Sequence, residues 1–245
     1  MHPIPHLESL ALSAWPALNT ELLDGWVLRF AQGYTKRANS VSPLYPGVLA
    51  DEAKVDYVER RYAAHGQPAI FKLTDASTAL DALLAGRGYT VVDPTSVRTA
   101  SLDTPAIVAD PLVTLTSTPD DAWVRGFIAL NRLSTAHAQT AQRMLAGYAC
   151  PTAFAAIRDA DRLIACGYAV MLWDSVSLFD IVTAPEARRQ GHGRRLVGTL
   201  LAWGREQGAS QGLLQVVADN APAVALYAAL GFAEQYRYWY RRQPG

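Results

Sequence analysis

The chain has 245 residues, half of them apolar, which suffices for one large domain or two small ones with proper cores. Its 22 basic and 22 acidic side chains give a formal net charge of zero, which argues against nucleic acid or an anionic membrane held by bulk electrostatics. Two cysteines, Cys150 and Cys166, are too few for a disulfide framework and lack metal spacing, so a reduced cytoplasm and no metal are expected.

In chain order, the opening MHPIPHLESLALSAW has no basic n-region and no long apolar run, so neither a signal peptide nor a membrane span is expected. Residues 26–30 and 38–42 read as strands around a Gly33-Tyr34 turn. Residues 51–64 read as a helix with Val55, Val58 and Tyr62 on one face. A strand at 69–73 follows, then a helix at 78–84 closed by Gly86 or Gly88, then an extended pair over 91–102 broken at Pro94. Residues 103–111, which contain Pro105 and Pro111, read as a boundary.

Beyond it the pattern gives a strand at 112–116, helices at 120–130 and about 140–145, and strands at 153–158, 163–173 and 176–182. An amphipathic helix spans 193–207, with Leu196, Val197, Leu200, Leu201 and Gly204 on one stripe and Gly208 ending it. A strand at 213–217, a helix at 221–230 and a strand at 232–242 complete the chain. The last, with Tyr236, Tyr238 and Tyr240 alternating, reads as a half-buried edge strand or as the lining of an acceptor pocket. The segments around 66–92 and 210–236 share strand, turn, helix and Gly-aromatic, with Gly88-Tyr89 falling on Gly231-Phe232.

The segment Arg188-Arg189-Gln190-Gly191-His192-Gly193-Arg194 carries the chemistry. It lies between a strand and a helix, where backbone N–H groups of the turn and of the helix start converge on an anion. Gly191 and Gly193 allow close approach and unusual φ values. The ligand this pattern favours is a pyrophosphate, held mostly by backbone with one or two arginine heads contributing.

These residues resemble the GNAT superfamily of acetyl-CoA-dependent N-acetyltransferases. Arg188 to Gly193 fit its R/Q-x-x-G-x-G/A loop, and Val182-Thr-Ala-Pro185 precedes that loop at the family offset. Asn220 to Phe232 fit its N-x-x-A-x-x-L-Y-x-x-x-G-F helix. The stretch GWVLRFAQGYTKRANSVSPL looks like the first part of bacterial tandem proteins of this superfamily. The resemblance implies an α/β (α+β mixed sheet) fold with a degenerate module at 1–104 and an active N-acetyltransferase module at 105–245. It implies acetyl-CoA as co-substrate, bound by Ile181, Val182, Thr183, Arg188, Arg189, Gln190, Gly191, His192, Gly193, Arg194, Asn220 and Tyr227. The implied partner is an amine substrate, with no nucleic acid and no membrane, on a monomer or homodimer.

Acyl transfer from a thioester requires a donor for the developing oxyanion, which a backbone N–H at or near Val182 can supply, and a partner for the departing thiolate. Tyr227 stands where members of the superfamily place a phenol near the sulfur. A phenol of pKa about 10 facing a thiol of about 8.5 makes full proton transfer uphill by roughly 2 kcal/mol, so hydrogen bonding is its main expected action. Packing in the helix–sheet core is the other reading of this ring. Asn220 is a good N-cap with Pro222 in the first turn, and the resemblance adds contact with the pantetheine arm. Some members acting on protein N-termini carry a Glu where this chain has Gln215, which cannot take a proton. Asp180 is the nearest carboxylate, and alternation places it on the face of Val182 and opposite Phe179 and Ile181. A solvated or arginine-paired charge is its other reading, and His137 is a further candidate base.

A small-molecule amine is the favoured acceptor, attacked directly in a ternary complex. A protein N-terminus or lysine is the alternative, and a non-catalytic acyl-CoA-binding regulatory module the alternative from another class.

Overall fold

The computed structural model describes residues 4–105 and 107–245. Residues 1–3, the first three of the opening stretch MHPIPHLESLALSAW, and residue 106, inside the boundary stretch, lie outside the described residues. The chain forms two compact units. The first holds the described residues up to Val97 with Val217–Asp219 and Gln235–Gly245, the second Arg98–Val216 with Asn220–Glu234.

In chain order the elements begin with α1 (Ile4–Ala14), β1 (Asn19–Leu23), β2 (Trp26–Phe30), β3 (Val41–Pro43), α2 (Asp51–Ala64), β4 (Ile70–Thr74), α3 (Thr78–Gly86) and β5 (Thr90–Ser101). They continue with β6 (Thr114–Thr116), α4 (Asp121–Leu130), α5 (Thr135–Ala146), β7 (Thr152–Asp159), β8 (Arg162–Leu172) and β9 (Ser175–Thr183). The last are α6 (His192–Glu206), β10 (Gln211–Val217), α7 (Ala221–Ala228) and β11 (Ala233–Arg242).

In the first unit β1 pairs antiparallel with β2, and β2 with β3, while β3 and β4 run parallel and β11 lies antiparallel to β4. Asp24 and Gly25 both take positive φ, the two-residue hairpin turn that matches strand twist. The core is Trp26, Leu28, Phe30, Val41, Phe71 and Leu73 from the strands, covered by Val55, Val58 and Tyr62 of α2 and by Leu80 and Leu84 of α3. Each such side chain withdrawn from water contributes roughly 1.5–3 kcal/mol. Across β11 and β4, Tyr236 donates to Glu8 at 2.6 Å, and Lys72 pairs with Glu8 at 2.7 Å while lying 4.0 Å over the Tyr238 ring.

The second unit repeats the plan. Here β6, β7, β8 and β9 pair antiparallel in turn, and β10 runs parallel to β9. A crossover helix joins each parallel pair, α2 in one unit and α6 in the other, and a second helix follows, α3 or α7. The helix exits match bond for bond. Tyr89 N–H donates to the Leu84 carbonyl and Phe232 N–H to that of Tyr227, both at 3.0 Å, after Gly88 and Gly231 at φ +83° and +88°. The stripe of α6 predicted from sequence is buried, and a Cβ on Gly204 would come within 2.6 Å of Val176 on β9.

Several readings change. β11 is an interior strand, flanked by β4 and β5, and Tyr236, Tyr238 and Tyr240 are buried in it, so they line no acceptor pocket. The pair expected over 91–102 is one strand, because Asp93 at φ +49° absorbs the restriction before Pro94. Residues 36–38 form a 3₁₀ turn before a strand of only three residues. α5 begins at Thr135, its Ser134 cap accepting from His137 N–H, which puts His137 in a first helical turn. α1 and β1 were not anticipated.

Candidate active site

β9 is the element on which the site is built. It pairs with β10 from Gln211↔Ser175 to Leu213↔Ser177, and past that point the two strands continue without paired residues. On its other edge β9 carries a bulge. Tyr168 lies opposite Phe179 and Cys166 opposite Val182, so two residues, Asp180 and Ile181, face the single Gly167. Asp180 takes φ +49°, a left-handed conformation that Asp tolerates better than most residues.

The bulge breaks the alternation expected from sequence. Phe179 and Val182 now share a face, opposite Tyr168 and Cys166, and Phe179 stands 5.4 Å from the Tyr168 ring. Ile181 points the other way, into the core beneath α6. Backbone direction follows from the Ala184 N–H, which donates to the Ile164 carbonyl at 2.8 Å. Antiparallel alternation then turns the Val182 N–H toward β8 and those of Ile181 and Thr183 toward the gap. Burial raises the Cys166 thiol well above its ordinary pKa, and the nearby Asp180 carboxylate adds to the rise.

At the end of β9 the chain makes a 3₁₀ turn over Pro185–Ala187 and enters α6 through Arg189 at φ +59° and Gly191 at φ +82°. Gly191 is the N-cap and offers no side chain. The first bond back into the helix comes from Arg195 N–H to the Gly191 carbonyl at 3.1 Å. The preceding N–H groups of His192, Gly193 and Arg194 therefore have no acceptor within the helix. Gly193 is helical rather than left-handed. Its lack of a side chain serves packing instead, since a Cβ there would sit 3.1 Å from Leu226 on α7.

The arginines divide by partner. Arg195 pairs with Asp110 at 2.6 Å, while Arg188 donates to the Thr183 carbonyl at 3.4 Å. The Asp110 carboxyl is held below its ordinary range, first by the Leu112 N–H and then by Arg195. Arg189 and Arg194 are exposed and have no side-chain partner among the described residues. Gln190 donates to the Glu186 carbonyl at 3.4 Å, which closes the loop on itself. The half-buried His192 ring keeps Nδ1 without a partner among the described residues.

Asn220 caps α7, accepting from Ala223 N–H at 3.3 Å, with proline in the first turn. Tyr227 is half-buried, packed on the core and edge-on to Phe232 at 5.9 Å. The ring thus does pack, and packing fixes where the hydroxyl can reach. The Gly193–Leu226 approach brings the start of α6 against α7, so loop, helix and phenol lie together in the second unit, and His137 stands on α5 of the same unit. Gly167 was missed in the sequence, although a lone glycine within a strand pattern is a bulge signal.

An uncapped helix start beside two free arginines suits a diphosphate, and the widened strand edge suits an extended chain that needs backbone partners. Among the described residues no group of three His, Cys, Asp or Glu side chains is placed to hold a metal ion, and no helix is long and apolar enough to cross a membrane.

Comparisons with known proteins bear on the family and the fold. Residues 2–241 match the family described as "Probable histone acetyltransferase Rv0428c C-terminal". An uncharacterized N-acetyltransferase, YobR, of Bacillus subtilis strain 168 is 30% identical over 249 residues, spanning 98% of this chain and 99% of that protein. A GCN5-related N-acetyltransferase from Kribbella flavida superposes with a TM-score of 0.69 at 17% identity, over 100% of this chain and 97% of that one. A tandem GNAT protein from the clavulanic acid biosynthesis pathway gives 0.63 at 15% identity, over 84% and 76% of the two chains. The chain accordingly belongs to the Rv0428c C-terminal acetyltransferase family, is an N-acetyltransferase, and has the fold of GNAT acetyltransferases.

Proposed function

We propose that the chain transfers acetyl from acetyl-CoA directly to an amine in a ternary complex, with the working module at 105–245 and a degenerate one at 1–104. One observation carries this reading. The bulged length of β9, unpaired toward β10, leads through a short turn to a helix start whose N–H groups are uncapped. Bound there, acetyl-CoA supplies an activated thioester carbonyl. The α6 N-terminus with Arg189 and Arg194 holds its diphosphate, and the edge of Ile181, Val182 and Thr183 aligns the pantetheine arm through backbone groups. The N–H of Ile181, next to Val182, points into the gap and donates to the carbonyl oxygen as charge develops. Asn220 holds the start of α7 in place, and the Tyr227 hydroxyl hydrogen-bonds the departing sulfur.

The acceptor nitrogen must lose a proton. A lysine-like amine of pKa about 10.4 is free in only about one molecule in 2,500 at pH 7, whereas an α-amine near 8 is free in about one in ten. Asp180 is the carboxylate of the bulge itself, and a chain of water molecules leading to it suits a weakly basic acceptor best. That favours a weakly basic small-molecule amine over a lysine side chain. The family description names a probable histone acetyltransferase, which supports a protein acceptor as the second reading. Free Cys150 and Cys166 suit a reducing cytoplasm, and zero net charge suits a non-nucleic-acid partner.

Release of free thiol from acetyl-CoA with a panel of small amines and peptides tests the proposal. Tyr227→Phe should lower kcat about tenfold or more while acetyl-CoA affinity stays within about twofold. Binding of acetyl-CoA with no thiol release from any amine would defeat the catalytic reading and leave a coenzyme-binding regulator.

A further inference from the structure

We infer that Gly167 on β8 is a positioning residue for acyl transfer, because it makes room for the bulge that aims the Ile181 N–H into the β9–β10 gap; this rests on the acetyl-CoA reading of that gap. A strand in register would set one residue opposite Gly167, whereas β9 sets two, Asp180 and Ile181, between the pairs Phe179↔Tyr168 and Val182↔Cys166. The extra residue pushes the β9 backbone toward β8. A Cβ built on Gly167 would lie 3.2 Å from Ile181 Cα and 3.3 Å from the Phe179 carbonyl oxygen, and 2.4 Å from Ile181 Cδ1.

The two kinds of contact differ in consequence. The Cδ1 methyl can swing aside at the cost of repacking beneath α6, but the Ile181 Cα and the Phe179 carbonyl belong to the bulge itself. They can yield only by moving the backbone a few tenths of an ångström, and the N–H whose direction matters is on that backbone. Asp180 is the other half of the device, since its φ of +49° is what lets two residues occupy one slot. Gly167 itself touches no reacting atom, as its backbone hydrogen bonds face β7 rather than β9.

Infrared spectra of acetyl-CoA labelled with ¹³C at the thioester carbonyl test this directly. Bound to the wild type, the carbonyl stretch should fall below its free value, and Gly167→Ala should lose most of that shift. The same variant should bind desacetyl CoA within about threefold of wild type and show kcat lowered about 10- to 100-fold at nearly unchanged KM for acetyl-CoA. Removing Cδ1 as well, in Gly167→Ala/Ile181→Val, should leave the carbonyl unshifted, whereas full recovery would overturn the backbone account. If Gly167→Ala does not fold, Asp180→Val, which a left-handed φ disfavours, should give the same loss of shift. An unchanged carbonyl shift in Gly167→Ala overturns this inference alone, and no shift in a wild type that binds acetyl-CoA overturns it together with the donor role of the Ile181 N–H. Failure of the wild type to bind acetyl-CoA overturns the function reading as well.

Discussion

The two units share a frame and differ where it meets a ligand. α6 opens at Gly191 with no side-chain cap, no carboxylate in its first turn and, nearby, two arginines without a side-chain partner among the described residues. α2 opens at Ala50, also without a side-chain cap, but Asp51 and Glu52 fill its first turn. There Lys54 is buried, 3.0 Å from Asp51 and 3.7 Å from Asp24, and 4.2 Å over the Trp26 ring. One helix start is left positive for an anion, and the other is neutralised by its own side chains. The second helices differ likewise. In the register that sets Gly88 on Gly231, Leu84 stands at the place of Tyr227 and Ser77 at that of Asn220, and Ser77 makes no side-chain cap. A shared frame therefore does not make a shared site. What the first helix turn does with its free N–H groups decides whether a phosphate can stay.

Breaking the first unit's internal pairing should have the largest effect. Lys72→Met leaves Glu8 buried without its cation and should destabilise the protein by about 3–5 kcal/mol, read from urea unfolding. Adding Glu8→Gln should recover much of that loss. If the single variant unfolds like wild type, the pair is not holding the unit.

Copying α2 onto α6 should blunt the second unit more gently. His192→Asp places a carboxylate where α2 carries Asp51, and it breaks no bond, since Nδ1 has no partner among the described residues. Acetyl-CoA affinity should fall about 30-fold, from ~2 kcal/mol of unfavourable charge at a partly buried helix start, by calorimetry. Thermal stability should rise slightly, because the same carboxylate suits the helix dipole. Opposite signs for binding and stability sharpen the contrast between the units, while a parallel loss of both would erase it.

Acid should separate the units least. Asp81 is held below its ordinary pKa by Arg241 first and then by Trp239, and Glu21 by Arg61. A depressed folded pKa gives stability that is full above the unfolded value, about 4, and is lost as pH falls through the folded one. Fluorescence of tryptophan should therefore report loosening of the first unit only below about pH 4, with no transition between pH 5 and 8 from these groups. Asp81→Asn should flatten that acid limb.

Much of the fold could be read along the chain. Residues 51–64 and 26–30 form the helix and strand that their periodicity announces, because strong spacing of Val55, Val58 and Tyr62 leaves one way to bury them. α1 and β1 escaped for opposite reasons. α1 mixes His6, Glu8, Ser9 and Ser13 with its apolar residues and has proline in its first turn, while β1 is largely exposed and has little pattern to show. The loop from Arg188 to Arg194 was legible because glycine spacing and helix onset are local. Asp180 was not, because alternation assumes an unbroken strand.

By itself the sequence determined the crossover helices, the glycine loop and the Asn220–Phe232 helix, each set by spacing within a few turns of chain. Only the tertiary structure decided that β11 is interior, that Gly193 serves Leu226 rather than a turn, and that Gly167 faces two residues instead of one. The physical reason is the same in all three. Local pattern fixes which way a side chain points along its own element, but the room available to it is set by residues distant in the chain.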